Sequence, residues 1–152
     1  MTIKNRIIPC LLVSNRRLIK TIKFNKEKYV GDPINAIRIF NEKEVDELIV
    51  LDILASKKKI DPDYEMIEKL ADECFMPLCY GGGITTIEQA QRIFSLGIEK
   101  ICINSAYYDG ELNVGDISKL FGAQSIVLSI DVKKNILGQY RIYHSGKKKI
   151  LS

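Results

Sequence analysis

Short β-branched runs alternate with amphipathic helical windows along the whole sequence, and this alternation is typical of β–α–β units that build a parallel sheet. The hydrophobic fraction of 46% and the charged fraction of 28% are ordinary globular values, which excludes a disordered or fibrous chain. A chain of 152 residues has the size of one domain, which we expect over residues 1–152. The predicted strands cover residues 6–13, 47–52, 76–80, 100–104 and 125–131.

Helix boundary signals lie between the predicted strands. Two aspartates are each followed by proline, the form of an N-cap with proline at the first helical position. A capping box precedes the third helix, and a glycine ends it. A fourth helix, over residues 116–121, is weaker because a glycine interrupts its start. These signals are Asp32 with Pro33, Asp61 with Pro62, Thr85 with Glu88, Gly97, and Gly115.

The strand ends favour a (βα) barrel over a doubly wound sheet. Polar or glycine residues follow strand after strand, and no G-x-G-x-x-G turn follows the first strand. A full barrel needs about 250 residues, so five strands are only a piece of one. Residues 139–144, after a turn at 135–138, predict a hairpin extension. The open edges leave two expectations: truncation of a longer barrel, or pairing with another half, such as a second copy.

The most informative cluster is the glycine run Gly81, Gly82 and Gly83, between a predicted strand and a predicted helix. Glycines let the backbone approach a ligand, and a helix N-terminus directs N–H groups at an anion, so the run predicts a phosphate site. Asn104 and Ser105, at the tip of the neighbouring strand, are expected to donate to the same phosphate. The alternative is a tight turn that only needs glycine.

Three further residues are candidates for chemistry at the same end of the strands. Asp131 shares a strand face with Ser129 and is a candidate general acid or base, or else an N-cap or a salt-bridge partner of Lys133. Asp52 carries the same ambiguity, with a structural role favoured. Lys20 lies in a long predicted loop over residues 14–31 that could close over a substrate, although a solvated lysine is the default.

Arg6, Glu47 and Lys100 begin three predicted strands, so a barrel would bring them together at its opposite opening. They form either ordinary surface charge or a plug or gate of ion pairs. The lone histidine, His144, is expected to be incidental. The lysine runs at residues 57–59 and 147–149 are expected to be solvated.

Composition excludes several other functions. The four cysteines are scattered at spacings that suit neither a disulfide framework nor zinc, so we expect reduced thiols and no metal. No apolar stretch reaches the roughly 18 residues of a membrane span, which predicts a soluble cytoplasmic protein without a membrane partner. The net charge of +4 is mild; it leaves nucleic-acid binding open but unsupported, and we expect no nucleic-acid partner.

The chain resembles the cyclase subunit of imidazole glycerol phosphate synthase over essentially all of its length. The matching motifs are RIIPCL at residues 6–11, GDP at 31–33, DEL at 46–48, LD at 51–52, AS at 55–56, GGGI at 81–84, INS at 103–105, ID at 130–131 and SGKK at 145–148. The resemblance implies the N-terminal half of a (βα)8 TIM barrel, comprising (βα)4, a fifth strand and the hairpin. It also implies a glutaminase partner at the N-terminal face, ammonia passing through the interior, a phosphorylated substrate and no cofactor.

Carried over by position, the resemblance implies roles for the candidate residues. Asp131 is similar to one of two catalytic aspartates, and Lys20 to the lysine of the substrate-covering loop. Three residues of the glycine run and the next strand, Gly83, Asn104 and Ser105, are similar to one of two phosphate sites, with Gly82 beside them. The residues similar to three of four ammonia-gate residues are Arg6, Glu47 and Lys100.

One departure concerns the first catalytic aspartate. Where the family has Cys-Leu-Asp-Val, this chain has Leu12 in place of the aspartate, and leucine cannot move a proton. Loss of that group with retention of the gate resembles a paralogous branch that supplies ammonia for amidating a surface-polysaccharide sugar. We therefore expect an enzyme subunit of that kind, with the short chain inactive alone. A genuine histidine-biosynthesis cyclase and a non-catalytic half-barrel interaction module are the alternatives.

Overall fold

The computed structural model describes residues 5–23 and 25–151, so the first four residues, residue 24 and residue 152, including both ends of the predicted domain, lie outside it. The elements are β1 (Cys10–Ser14), β2 (Arg17–Ile22), β3 (Asn25–Gly31), α1 (Pro33–Glu42), β4 (Leu48–Asp52), α2 (Ile53–Lys58), α3 (Tyr64–Glu73), β5 (Leu78–Gly81), α4 (Ile87–Ser95), β6 (Lys100–Ile103), α5 (Ser105–Tyr108), α6 (Val114–Phe121), a 3₁₀ turn (Ala123–Ser125), β7 (Ile126–Leu128), β8 (Val132–Lys134), β9 (Tyr140–His144) and β10 (Lys149–Ile150).

A parallel sheet organises the molecule, in the order β3-β2-β1-β4-β5-β6-β7. The pairs β1–β4, β4–β5, β5–β6 and β6–β7 are all parallel, and helices connect them from β4 onward. The α/β prediction is therefore confirmed. Across this sheet the register aligns Leu12 with Leu51, Leu51 with Gly81, Gly81 with Cys102, and Cys102 with Val127.

The hydrophobic core lies between one face of the sheet and the helices. Val50, Tyr80 and Ile101 project from the strands into this core and are fully buried. Ile67 of α3 and Ile93 of α4 are buried against that same face. Helices on one face distinguish a barrel segment from a doubly wound sheet, whose two faces are both covered.

The opposite face forms the inside of the partial barrel. Strand alternation directs Leu12, Ile49 and Leu51 to this side, and all three are half-buried. Cys79 and Cys102 lie beside them and are buried. The interior is therefore mainly apolar along the middle of the strands.

Two of the predicted helix starts are displaced by one or two residues. Asp32 caps α1 as predicted, accepting from the N–H of Asn35. The cap of α3 is Asp63 and not Asp61, since Asp63 accepts from the N–H of Met66. The capping box of α4 joins Thr86 and Gln89, one residue later than the predicted Thr85 and Glu88. Glu88 is instead in the first turn of the helix, where its charge suits the dipole.

The segment predicted as a long loop over residues 14–31 is a β-hairpin. Strands β2 and β3 add antiparallel to the edge of β1, and Asn15 and Arg16 make the first turn with φ of 50° and 60°. Arg16 fixes this turn to the start of α3, because its guanidinium donates to Asp63 at 2.6 and 2.8 Å and to Glu65 at 2.8 Å. The hairpin is therefore tied to a helix.

The flanking strands are shorter than predicted. β1 begins at Cys10 because Pro9 has no N–H for the ladder, although the Pro9 and Ile7 carbonyls still accept from residues near β4. β7 ends at Leu128, before Asp131. Beyond it, β8 and β9 form an antiparallel hairpin whose turn is held by the Asn135 side chain, which accepts from the N–H groups of Leu137 and Gln139. No helix in the described part of the chain has the length and hydropathy of a membrane crossing.

Candidate functional site at the carboxyl ends of the strands

A cavity of about 700 Å³ opens at the carboxyl ends of the parallel strands. Each of four neighbouring strands contributes at or just beyond its end, and the turn between β9 and β10 closes one side. The sequence-predicted residues that line the cavity are Asp52, Gly82, Gly83, Asn104, Ser105, Ser129 and Asp131. The strand tips therefore meet around one opening, as the barrel prediction requires.

The glycine run begins at the last residue of β5 and is packed too tightly for any side chain. A Cβ at Gly82 would lie 2.5 Å from the Asp52 carbonyl oxygen, and a Cβ at Gly83 would lie 2.5 Å from the Ile60 oxygen. Both residues also have positive φ, 137° and 70°. The tight-turn reading therefore holds, and it is compatible with ligand binding because the backbone itself forms the cavity wall.

Asn104 and Ser105 begin the short helix α5 beside the glycine run. The Asn104 side chain does not cap this helix, and its Oδ1 atom is buried without a hydrogen-bond partner in the structure. A buried polar atom without a partner is costly, so the unpaired amide oxygen next to the cavity favours contact with a hydrogen-bond donor of a ligand. Gly83 N–H, by contrast, donates weakly to Ser56 Oγ at 3.4 Å.

Asp131 is half-buried at the rim and lines the cavity together with Ser129. Leu128 and Ile130 are 37% and 52% exposed on the other side, so the predicted alternation is present although the ladder has ended. The predicted salt bridge to Lys133 is not formed among the described residues. Lys133 lies over the Tyr143 ring instead, with Nζ 4.7 Å from the ring centroid. Asp131 is thus available to a bound molecule.

Asp52 has the structural role that the sequence favoured. Its Oδ1 accepts from the N–H groups of Leu54 and Ala55 at 2.9 and 3.1 Å and caps α2. Burial raises the pKa of this carboxyl, against the lowering effect of those two backbone hydrogen bonds. The helix that it caps was not predicted.

The two aspartate caps, Asp52 and Asp63, should give pH dependences of opposite sign. The folded-state pKa of Asp52 is raised, so its ionisation opposes folding as pH rises through that raised value. Hydrogen bonds from Arg16 lower the pKa of Asp63, so its stabilisation is lost as pH falls through that lowered value. We expect Asp52→Asn to change the free energy of unfolding more favourably at pH 7 than at pH 4, since asparagine also caps helices. We expect Asp63→Asn to change it less favourably at pH 7 than at pH 4. Urea unfolding between pH 3 and 8 measures both effects. If the stability change caused by each substitution varied with pH in the same direction, the opposite pKa shifts of Asp52 and Asp63 would be contradicted.

Lys20 does not lie at the cavity. It is an exposed residue of β2, opposite Lys28 of β3, and is not part of the lining. Its neighbours Ile19, which is buried, and Thr21, which lines the cavity, occupy the inward face. Because successive residues of a strand alternate, Lys20 is directed outward, which corrects the expectation of a lysine over the site.

Arg6, Glu47 and Lys100 meet at the amino ends of the strands. Arg6 donates to Glu47 at 2.7 Å, and the Lys100 ammonium donates to both Glu47 oxygens at 2.7 Å. The Glu47 side chain is only 4% exposed, whereas those of Arg6 and Lys100 are 54% and 25% exposed. A buried carboxylate shared by two cations is more than scattered surface charge.

Sequence reasoning missed the ion pairs on the cavity rim. Lysines predicted to be solvated are paired with carboxylates from other elements: Lys57 with Glu27, Lys59 with Glu111, and Lys147 with Asp109. His144, predicted to be incidental, is buried and bonded to Asp109. These partners lie 30 to 52 residues away along the chain, beyond the reach of local patterns.

The cysteines lie mostly on the inner face, as free thiols. The Cys79 thiol donates toward the Cys102 sulfur, which raises the pKa of Cys79 and lowers that of Cys102. Burial raises the pKa of Cys10. Among the described residues, no three His, Cys, Asp or Glu side chains converge as metal ligands would.

Comparison with known proteins reveals the family. A family model described as "Histidine biosynthesis protein" matches residues 6–151. The chain is 56% identical over 141 residues to "Putative imidazole glycerol phosphate synthase subunit hisF2" of Pseudomonas aeruginosa, covering 93% of this chain and 56% of that protein. It is 52% identical over 149 residues to a similarly named HisF protein of Leptospira borgpetersenii, covering 97% and 59%.

A more distant relative is "Imidazole glycerol phosphate synthase subunit HisF" of Streptococcus sanguinis, 37% identical over 147 residues, covering 97% of this chain and 58% of the relative. The chain thus spans somewhat more than half the length of the curated relatives that it matches. Together with the parallel sheet and its one-sided helices, these matches show that the chain belongs to the histidine biosynthesis protein family, as a partial barrel like that of the HisF cyclase subunit.

Proposed function

We propose that this chain belongs to an ammonia-using enzyme that works with a glutaminase partner. The observation that supports this function most is the placement of two sites at opposite ends of the same strands. β4 has Glu47 immediately before it and ends at Asp52, and β6 begins at Lys100 and is followed by Asn104. The separation is one strand length, about 15 Å, which in this proposal is the distance that ammonia travels from one site to the other.

In this proposal the cluster of Arg6, Glu47 and Lys100 is the ammonia entrance, and the glutaminase docks on that face. The ammonium of Lys100 would repel a charged ammonium ion and admit neutral ammonia. Beyond it, the interior-facing Ile49, Cys79 and Leu51 provide an apolar path with little to protonate ammonia. The entrance can open only if Glu47 releases one of its two cations.

At the other end, we assign the phosphate of a phosphorylated or nucleotide-linked substrate to Gly82, Gly83, Asn104 and Ser105. The glycine backbone that lines the cavity supports that assignment, whereas the unpartnered Asn104 Oδ1 is an acceptor and suits a donor group elsewhere on the same ligand. Asp131 is the candidate acid or base at the rim. Lys20 would act only if the β2–β3 hairpin turned its outward face toward the cavity.

We favour amidation of a surface-polysaccharide sugar over imidazole formation. Leu12 lines the cavity where the cyclase family has an aspartate, so one half of the acid–base pair is lost. Identity to the relative named hisF2 is 56%, against 37% to HisF of Streptococcus sanguinis. A histidine-biosynthesis cyclase is the second candidate. A non-catalytic half-barrel that pairs with a second copy through its edges is the third.

The test is to mix the complete product of this gene with its glutaminase and measure glutamate release from glutamine. We expect a nucleotide-sugar or phosphorylated ligand to stimulate hydrolysis. We also expect Lys100→Met to disrupt the transfer of ammonia to that ligand, because Glu47 then holds one cation fewer. Lys69→Met, in an exposed pair with Glu65, is the matched control. Hydrolysis that no such ligand stimulates would count against the proposal.

The same gene separates the two acceptor chemistries. Expressed in a histidine auxotroph that lacks its cyclase, it is expected not to restore growth, because Leu12 cannot transfer a proton. Restored growth with the unchanged gene would establish the cyclase instead. A strictly monomeric chain in sedimentation would exclude edge pairing of two copies.

A further inference from the structure

Three side chains at the mouth of the cavity form a cluster that the proposed function does not use. His144 of β9 is 2% exposed, and its Nε2 lies 3.2 Å from Oδ1 of Asp109, which follows α5. The Lys147 ammonium contacts the same Oδ1. The Asp109 side chain is 8% exposed, so a buried carboxylate holds groups from two different elements.

The hydrogen bonds determine which ring nitrogen of His144 carries the proton. The backbone N–H of Lys147 donates to Nδ1 at 3.1 Å, so Nδ1 is the acceptor. In the neutral ring Nε2 then carries the hydrogen and donates it to Asp109. His144 therefore connects the turn that follows it to the carboxylate beside α5.

That turn, residues 145–148, contributes to the wall of the cavity. Ser145, Gly146 and Lys147 line the cavity. A Cβ added to Gly146 would lie 3.9 Å from Ser105 Oγ, which shows how near the turn lies to the predicted phosphate site. Among the described residues, the backbone N–H of Gly146 has no acceptor. A free N–H in a turn that lines the cavity suits an anion.

We propose that Asp109, His144 and Lys147 form a clasp that holds the 145–148 turn against Ser105, so that the Gly146 N–H completes the anion site. The inference rests on the phosphate site of the proposed function and adds the 145–148 turn to that site. Asp109 and His144 are positioning residues, since they act through the turn and not on the ligand.

The clasp explains why a carboxylate is tolerated next to an anion site. A bare Asp109 would repel a phosphate, and removing its charge would then strengthen binding. Hydrogen bonding to Lys147 lowers the pKa of Asp109, so the carboxylate stays charged and keeps its partners. If the clasp positions the turn, removing that charge weakens binding. A repulsive Asp109 and a positioning Asp109 thus predict opposite changes in phosphate affinity when the charge is removed.

The experiment is a titration of the chain with inorganic phosphate at pH 7, followed by ¹⁵N NMR. We expect the amides of Gly83, Ser105 and Gly146 to shift together with one dissociation constant. Asp109→Asn should weaken that constant about tenfold, the size of one hydrogen bond to a charged group. Asp109→Glu, which restores the carboxylate, should recover most of the affinity. Lys119→Gln, in an exposed pair with Asp116 far from the cavity lining, is the matched control.

The ring ¹⁵N shifts of His144 provide a readout that needs no variant, and they should report the Nε2–H tautomer. Tighter phosphate binding by Asp109→Asn would overturn the proposal. Amide shifts at Gly83 and Ser105 without a shift at Gly146 would also overturn it. The phosphate site of the proposed function would then remain, without the 145–148 turn. Absence of any shift would overturn it and remove phosphate from the proposed function, whereas glutaminase stimulation would remain a separate result.

Discussion

Gly82→Ala is expected to lower the free energy of unfolding by about 2–4 kcal/mol, the sum of backbone strain and steric overlap. The residue has φ of 137°, and a Cβ there would lie 2.5 Å from the Asp52 oxygen and 2.8 Å from the Asp52 Cβ. Asp52 cannot retreat cheaply because it caps α2 with two hydrogen bonds. Urea unfolding followed by circular dichroism measures the change.

Two other glycines provide matched controls for Gly82. Gly138 has φ of 75° but nothing within 4 Å of an added Cβ, so Gly138→Ala isolates the backbone strain, about 1 kcal/mol. Gly31 has open space and no positive φ, so Gly31→Ala should be neutral or slightly stabilising. If all three substitutions cost the same, the close packing of the glycine run against Asp52 is not what makes Gly82 necessary.

Glu47→Ala is the second substitution with a large expected effect, about 3 kcal/mol of lost stability. The Glu47 carboxylate is nearly inaccessible and receives three donors, one from Arg6 and two from Lys100. Removing it leaves the partly buried Lys100 without its counter-charge, whereas Arg6 can turn into water. The proposed ammonia entrance would stay open at the same time, so ammonia should leak to solvent and less of it should reach the ligand.

Glu73→Ala is the control, since Glu73 also receives two hydrogen bonds from one arginine, Arg38, at 2.9 and 3.1 Å. That pair is on the surface, so we expect a loss within about 1 kcal/mol that shrinks further in salt. Equal losses for the two variants would mean that the Glu47 cluster is ordinary surface charge.

Periodicity was sufficient to predict the frame of the fold. The five parallel strands and the helices α1, α3, α4 and α6 follow from apolar spacing, because one face of each element has to be buried. Strand ends could be aligned for the same reason: parallel strands place their carboxyl ends on one edge. That logic brought Asn104 and Asp131 to one cavity and Glu47 and Lys100 to one ion cluster.

Local sequence patterns did not predict the strands and the helix that are rich in charged residues. The β2–β3 hairpin is rich in lysine and was read as a loop, although Asn15 at a tight turn is a recognisable signal. Helix α2 is short and ends in lysines, so only the Asp52 cap could have revealed it. The contact of His144 with Asp109 depends on how two distant segments meet, which no local rule contains.

The hairpin also limits what can attach to the first strand of the sheet. β2 pairs with Leu12, Val13 and Ser14, so the outer edge of β1 is already occupied along its upper part. A further strand arriving on that side finds only Cys10 and Leu11 free to pair, too short a template for stable growth of the sheet. The free edge of the sheet on this flank therefore belongs to β3, and any strand that closes the cylinder beside β1 must pair with its first two residues or displace the hairpin.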